Sequence, residues 1–343
     1  MRFINKLTQQ LQRHPKRIVF PDGMDHRVLQ AARQFATKCL GAPILIGERQ
    51  KIKETALQLG INLDKIPLIN PERSEELEPF AEQYYQSRKE KGITEAEALE
   101  TVKKPNYFAS LMLANSQADG LVFEAGTPAS NALVSLFRTI PMRENVKTAS
   151  SVLILDLEDK QEFGIDGGLF LSDCAVLPDP NAEQLADMVI SSASLAYHLT
   201  GETPRVALLS YSTHSENSSD PSVTKMAVAT DLAREKAKTL YFPIKIDGEI
   251  QADVALDKYA AKQKSVEGEI AGQANVLIFP NLHSSNIAAK MVTLLAGGYG
   301  YGQIMTGLSK PAAQVSRGAS AHDILATSVI VGAQAINREF LLT

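Results

Sequence analysis

The sequence predicts an α/β protein built on mainly parallel sheet, and three observations carry that prediction. Short apolar runs alternate with amphipathic stretches of about a dozen residues along the chain. Near the start, an apolar run at 17–21, a helical stretch at 26–38 with Val28, Leu29, Ala32 and Phe35 on one face, and a second apolar run at 42–47 follow one another. A crossover of that length joins parallel strands, so this is a strand–helix–strand unit. Finally, 343 residues with 44% hydrophobic and 22% charged residues suit one large or two medium globular domains.

The elements follow in order. Residues 3–13 form a helix that Pro15 ends. After the first unit come a helix at 48–59, a strand at 67–69 and a long charged helix at 74–91. Helical pieces at 94–102 and 105–116 lead to a buried strand at 120–123 and a helix at 130–140. Apolar runs at 150–157, 168–171 and 174–177 are expected as strands. Asn181 caps a helix to residue 199. A strand at 205–210, a helix at 222–238 and a strand at 244–246 ending at Asp247–Glu249 come next. A strand at 276–280 and a helix at 285–296 follow. The glycine-rich stretch 297–302 has neither the register of a dinucleotide fingerprint nor a Walker lysine, and is expected to be a hinge or close-packing turn before a strand at 303–305. The last helix runs over 321–336, where Ser320 and Asp323 have the spacing of a capping box.

Composition excludes several classes. A net charge of −4 argues against a general nucleic-acid binder, while leaving room for a local phosphate pocket. No apolar run reaches about 18 residues and the N-terminus has no signal-peptide pattern, so a soluble, cytoplasmic protein without membrane contact is expected. Cys39 and Cys174 have no metal-ligand spacing and are expected as reduced core residues, and no metal site is expected.

The C-terminal third carries specific motifs. Residues 275–280 read NVLIFP, Asn286 is followed by Ile287 and Lys290, residues 307–311 read GLSKP, and Ser316-Arg317-Gly318 is followed by Ser320, Asp323 and Ile324. These resemble the phosphate acetyltransferase family, which writes them ANVLIFPxL, GNIxYK, QGLxKP and LSRGCSxxDI. Earlier blocks agree in order: Phe20-Pro21 with Asp25 and Arg27, Arg88-Lys89 with residues 91–94, Leu209–Thr213, and Asp247-Gly248-Glu249 with Gln251 and Asp253. The resemblance spans residues 16 to 335.

It implies two three-layer α/β/α domains with mainly parallel sheets and an active cleft between them, a layering like that of isocitrate and isopropylmalate dehydrogenases. The expected domains are 1–146 with 305–343, and 147–304, usually in a homodimer. The implied reaction is reversible acetyl transfer between acetyl phosphate and coenzyme A, releasing acetyl-CoA and phosphate. No cofactor is tightly held, and coenzyme A is a co-substrate. By the same resemblance Asp323 is the base for the thiol, Arg317 holds the acyl phosphate oxygens and Ser316 hydrogen-bonds at the reacting centre. Arg27 and Arg88 match substrate- or CoA-binding arginines, and Ser212, Thr213, Asn286, Lys290 and Gly307 fall in matching substrate motifs. The residue types suit the chemistry. A thiol attacks as thiolate, so a positioned carboxylate helps. A guanidinium fork fits acyl phosphate oxygens better than an ammonium does.

Some loops depart from the family pattern. A family arginine falls on Val134, with Arg138 one helical turn further on, and Glu124 replaces a glycine. The family's STKGS loop is Ser212–Ser218 with His214 in it, and Asn281 replaces an acid. The stretches His283-Ser284 and Asp253-Val254-Ala255-Leu256 also resemble the acetyl-CoA-sensing domain fused to bacterial malic enzymes. Two further readings follow: a catalytically weak acetyl-CoA sensor, and a phosphate acyltransferase for propanoyl or butanoyl groups.

Overall fold

The computed structural model describes residues 2–124, 129–144, 146–215 and 218–336. Contacts divide the chain into a flanking unit, Leu7–Pro141 with Leu308–Ile336, and a central unit, Met142–Gly307 with the start of the chain through Lys6.

Helix α1 (Arg2–Arg13) contributes to both. Phe3 packs edge-on against Phe170 of the central unit, while Leu11 lies against Gly332 of the flanking unit. The first strand–helix–strand unit forms as expected, as β1 (Lys16–Phe20), α2 (His26–Thr37) and β2 (Gly41–Ile46). The strands pair in parallel from Lys16 opposite Gly41 to Phe20 opposite Leu45. Helix α3 (Arg49–Gln58) leads to the two-residue β3 (Leu68–Ile69). Helix α4 is Leu77–Arg88, α5 is Glu95–Val102 with a capping box at Thr94, and α6 is Pro105–Ala114. In α6 every residue from Tyr107 to Leu113 is buried, which explains its even apolar composition: it has no solvent face to mark. Strand β4 (Gly120–Glu124) and α7 (Ala129–Thr139) complete this stretch.

In the central unit, β5 (Ser150–Asp156) pairs antiparallel with β6 (Gly168–Ser172). Helix α8 (Ala182–Thr200), capped by Asn181, packs along α9 (Pro221–Thr239), with β7 (Arg205–Leu209) between them in sequence. Next come β8 (Lys245–Ile250), short helices α10 (Ala252–Leu256) and α11 (Lys258–Gln263), β9 (Val276–Ile278), α12 (Leu282–Ala296) and β10 (Tyr299–Thr306). The sheet order here is β10-β5-β6-β9-β7-β8, parallel from β6 onward. The chain then returns to the flanking unit as β11 (Ala312–Val315) and α13 (Ala321–Gln334). That unit's strands lie in the order β3-β2-β1-β4-β11, all parallel.

Several expectations need correction. The run 174–177 is not a strand but a turn, because the carboxylate of Asp173 takes the backbone N–H groups of residues 175–177 that a strand would offer to a neighbour. The glycine-rich stretch is not a hinge: Gly300 and Gly302 lie inside β10, opposite β5, with a bulge between Tyr301 and Ile304. Gly302 has φ +101°, which glycine adopts without strain, so the bulge sits where the sequence allows it. Strand β8 runs on through Asp247–Glu249 instead of ending there. Strand β11 is not legible as a strand at all, since Ala312-Ala313-Gln314 lacks β-branched residues; it exists because β4 pairs with it, from Ala312 opposite Leu121 to Val315 opposite Glu124. Cys39 is exposed, not core, whereas Cys174 is buried and burial pushes its thiol up to about 12.

Candidate active site

In the flanking unit, β1 and β11 run parallel with β4 between them, so the loops after Phe20 and after Val315 emerge at the same sheet edge. The carboxyl ends of parallel strands are where open α/β sheets take ligands. The loop after β1 ends in Asp25, whose side chain caps α2 by accepting the Arg27 N–H at 2.8 Å. The same carboxylate holds the Arg27 guanidinium by two bonds, Nε to Oδ1 at 3.1 Å and Nη2 to Oδ2 at 3.0 Å. Nη1 of Arg27 donates to the backbone oxygens of Arg317 at 2.7 Å and Ala319 at 3.0 Å. Arg27, expected to bind substrate, therefore clamps the loop after β11.

That loop is turned on itself. The Ser316 hydroxyl accepts the Gly318 N–H at 3.1 Å, and the Ser316 carbonyl accepts the Ala319 N–H at 3.0 Å. These bonds leave the Arg317 side chain exposed, with no hydrogen bond or ion pair among the described residues. The capping box at α13 forms: Oδ2 of Asp323 accepts the Ser320 N–H at 2.8 Å and its hydroxyl at 2.9 Å, while the Asp323 N–H donates to Ser320 Oγ. Oδ1 accepts no hydrogen bond among the described residues, and His322 Nδ1 lies 3.8 Å from it. One carboxylate oxygen is thus structural and the other keeps its lone pairs.

The same edge holds a strained charge. Asp22 lies close to Asp25, and burial together with the Asp25 charge lifts its carboxyl to about 6, with Arg27 opposing the shift. Because the folded chain holds this proton in a range where the unfolded chain has lost it, stability rises as pH falls from about 6 toward the ordinary 3.8. Above pH 6 the ionised Asp22 is a liability of roughly 2–3 kcal/mol. Asp22→Asn is therefore expected to gain about 1–2 kcal/mol in urea unfolding at pH 7.5, and the gain should vanish near pH 4. An equal gain at both pH values would mean that the carboxyl's ionisation is not what burdens the fold.

Of the other flanking-unit residues, Arg88 ends α4, partly exposed and without a partner among the described residues. Val134, where the family pattern has an arginine, is 37% exposed on α7. Arg138, one turn on, donates Nη1 to the Tyr107 hydroxyl at 3.2 Å, and Tyr107 in turn packs edge-on against Tyr84. Residues 125–128 and the side chain of Glu124 lie outside the described residues.

In the central unit, β6, β9, β7 and β8 are parallel, so the loops after them share one edge. The Ser212 hydroxyl donates to Glu249 Oε1 at 3.3 Å, and that carboxylate also accepts the Ser215 N–H at 2.7 Å. Thr213 Oγ1 accepts the Gln251 N–H at 3.0 Å. His214 Nε2 lies 3.1 Å from Asp247 Oδ1. These contacts pin the first half of the 212–218 loop; Glu216 and Asn217 lie outside the described residues. Asn286 Nδ2 donates to the Cys174 carbonyl at 3.2 Å, and Lys290, one turn along α12, is exposed without a partner among the described residues. Gly307 has φ +81°, and a Cβ there would lie 2.5 Å from the Thr148 carbonyl, so only glycine fits.

Sequence reasoning missed Asp173. It follows β6 at the same edge, and its carboxylate organises the 174–177 turn whose Cys174 carbonyl receives Asn286. Its one legible signal was an acid inside an otherwise apolar run from 168 to 177.

The fold is that of phosphotransacetylases. The EutD phosphotransacetylase from Staphylococcus aureus superposes with a TM-score of 0.86 at 32% identity, covering 97% of this chain and 98% of that one. A phosphotransacetylase from Streptococcus pyogenes gives 0.87 at 30% identity over the same shares. Residues 2–332 match the family model described as phosphate acetyl/butaryl transferase. A phosphate acetyltransferase of Treponema pallidum is 36% identical over 340 residues, 98% of this chain and 100% of that protein. The chain belongs to the phosphate acetyl/butaryl transferase family.

Proposed function

We propose that this chain is a phosphate acetyltransferase that exchanges the acetyl group between acetyl phosphate and coenzyme A. The observation that carries the reading is the pairing, on one loop and helix start, of an unpartnered Arg317 guanidinium with an Asp323 carboxylate whose Oδ1 is left open. Asp323 Oδ1 takes the proton of the CoA thiol. The sulfur attacks the acyl carbonyl, the resulting oxyanion and the phosphate oxygens are met by Arg317 and the Ser316 hydroxyl, and the C–O bond to phosphate breaks to release acetyl-CoA and phosphate. Arg27 serves this chemistry by fixing the loop's carbonyls.

Coenzyme A is then a co-substrate, and no resident cofactor takes part. Arg88, Ser212, Thr213, Asn286, Lys290 and Gly307 are proposed to contribute to substrate binding, and the two units to be the enzyme's two domains. We place the protein in the cytoplasm; among the described residues no helix is long and apolar enough to cross a membrane. A homodimer is supported by α12, whose Ile287, Met291, Leu294 and Leu295 form an exposed apolar stripe, the last two at 82% and 80% exposure.

The test is thioester formation from CoA and acetyl phosphate by the purified chain, with propanoyl and butanoyl phosphate in parallel. Acetyl transfer that is fastest of the three and is lost in Asp323→Asn supports the proposal. Faster transfer of the longer groups reassigns the substrate. No turnover with acetyl-CoA binding retained would mean a sensor and not an enzyme.

A further inference from the structure

The central unit holds a cavity of about 340 Å³ that none of the residues above explains. It lies between α8, α9 and the segment that leads into β5, within the size range of small-molecule sites. Val146, Ile190, Leu232 and Leu240 give it apolar walls. Its polar end is Asp187, which accepts the Thr148 hydroxyl at 2.7 Å and pairs with Lys236. Ser191 also lines it and is only 6% exposed.

Charge narrows the class of occupant. Glu144, Asp187 and Glu235 line the cavity against one ammonium, Lys236. Glu235 also meets Lys238, but that pair is exposed and contributes little. An anion is disfavoured, and a compact apolar body carrying one positive charge fits both the walls and the rim. The cavity is also wired to a turn of the family motif. Thr148, which bonds Asp187, offers its carbonyl to the close approach at Gly307, and the Arg143 N–H donates to the Gly307 carbonyl at 3.0 Å.

We propose that this cavity is a binding site for a small organic ammonium ion, and that its occupancy stiffens the backbone at Arg143 and at 146–148, and with it the Gly307 turn.

Benzylamine is the probe, with benzyl alcohol as its neutral counterpart. Calorimetry on the full chain is expected to show saturable benzylamine binding, with benzyl alcohol at least about tenfold weaker. Leu232→Trp, which fills the cavity, should abolish binding. The double variant Glu144→Gln/Glu235→Gln changes two exposed positions and keeps the walls, so it should fold and weaken binding about tenfold. Exchange of the Arg143 amide should slow on saturation with benzylamine. Absence of saturable binding, equal binding of the alcohol, unchanged affinity in the double variant, or unchanged exchange at Arg143 would each overturn the proposal.

Discussion

Arg317→Ala should lower kcat/KM for acetyl transfer by about two to three orders of magnitude while leaving the fold as stable as before. The two halves of that expectation have separate causes. The side chain is exposed and has no partner among the described residues, so its removal costs the fold no more than about 0.5 kcal/mol. What Arg27 holds is the backbone carbonyl of residue 317, which alanine retains. The loop therefore keeps its shape and loses only its cation. Charge developing on the carbonyl and phosphate oxygens then lacks its fixed donor, and such donors are worth about 3 kcal/mol. Arg317→Lys should recover only part of the rate, because an ammonium restores charge without the two-pronged geometry. Steady-state kinetics beside urea unfolding separates the effects. A loss of stability matching the loss of rate would assign Arg317 a structural role and sink the catalytic one.

Asp173→Ala should be the most destabilising of these substitutions, at about 4 kcal/mol or more in urea unfolding. The residue is 2% exposed. Its carboxylate accepts the N–H groups of Ser151, Ala175 and Leu177 at 2.8–3.0 Å, that of Val176 at 3.2 Å, and the Ser151 hydroxyl. Alanine would leave these donors without partners in a closed setting, and each costs on the order of 1 kcal/mol or more. Burial nonetheless wins over the donors in setting its acidity and pushes the carboxyl above the usual carboxylate range. Asp173→Asn keeps one acceptor oxygen and should cost about half as much. The turn also carries the carbonyls that receive Ser285 and Asn286, so the loss should extend to the start of α12, read as faster amide exchange there. An Asp173→Ala protein as stable as the parent would mean that water replaces the carboxylate at those donors.

Most strands and helices were legible because apolar spacing reports directly which face of an element is buried. The first strand–helix–strand unit, the capped helix after Asn181 and the Ser320–Asp323 box all follow from local pattern and formed with their ends shifted by a few residues at most. The runs that misled were apolar without being strands, or strands whose residues do not favour one. In the 174–177 turn Cys174 is buried and the next three residues are half-buried, so its composition resembles a strand, yet its N–H groups are spoken for by Asp173. Strand β11 opens on two alanines and a glutamine and gains its conformation from β4, which lies almost two hundred residues earlier.

The same division holds at the site. The sequence by itself determined the family, the α/β class and the loop bearing Ser316, Arg317 and Asp323, because these are written in contiguous residues. It could not say which arginine is free. Arg27 and Arg317 are equal as letters, but Arg27 is bound by Asp25 and spans 290 positions to hold the carbonyl of the other. Only the tertiary structure decided that Arg27 clamps and Arg317 is open, since a side chain's role depends on partners that the fold brings near and that no local pattern encodes.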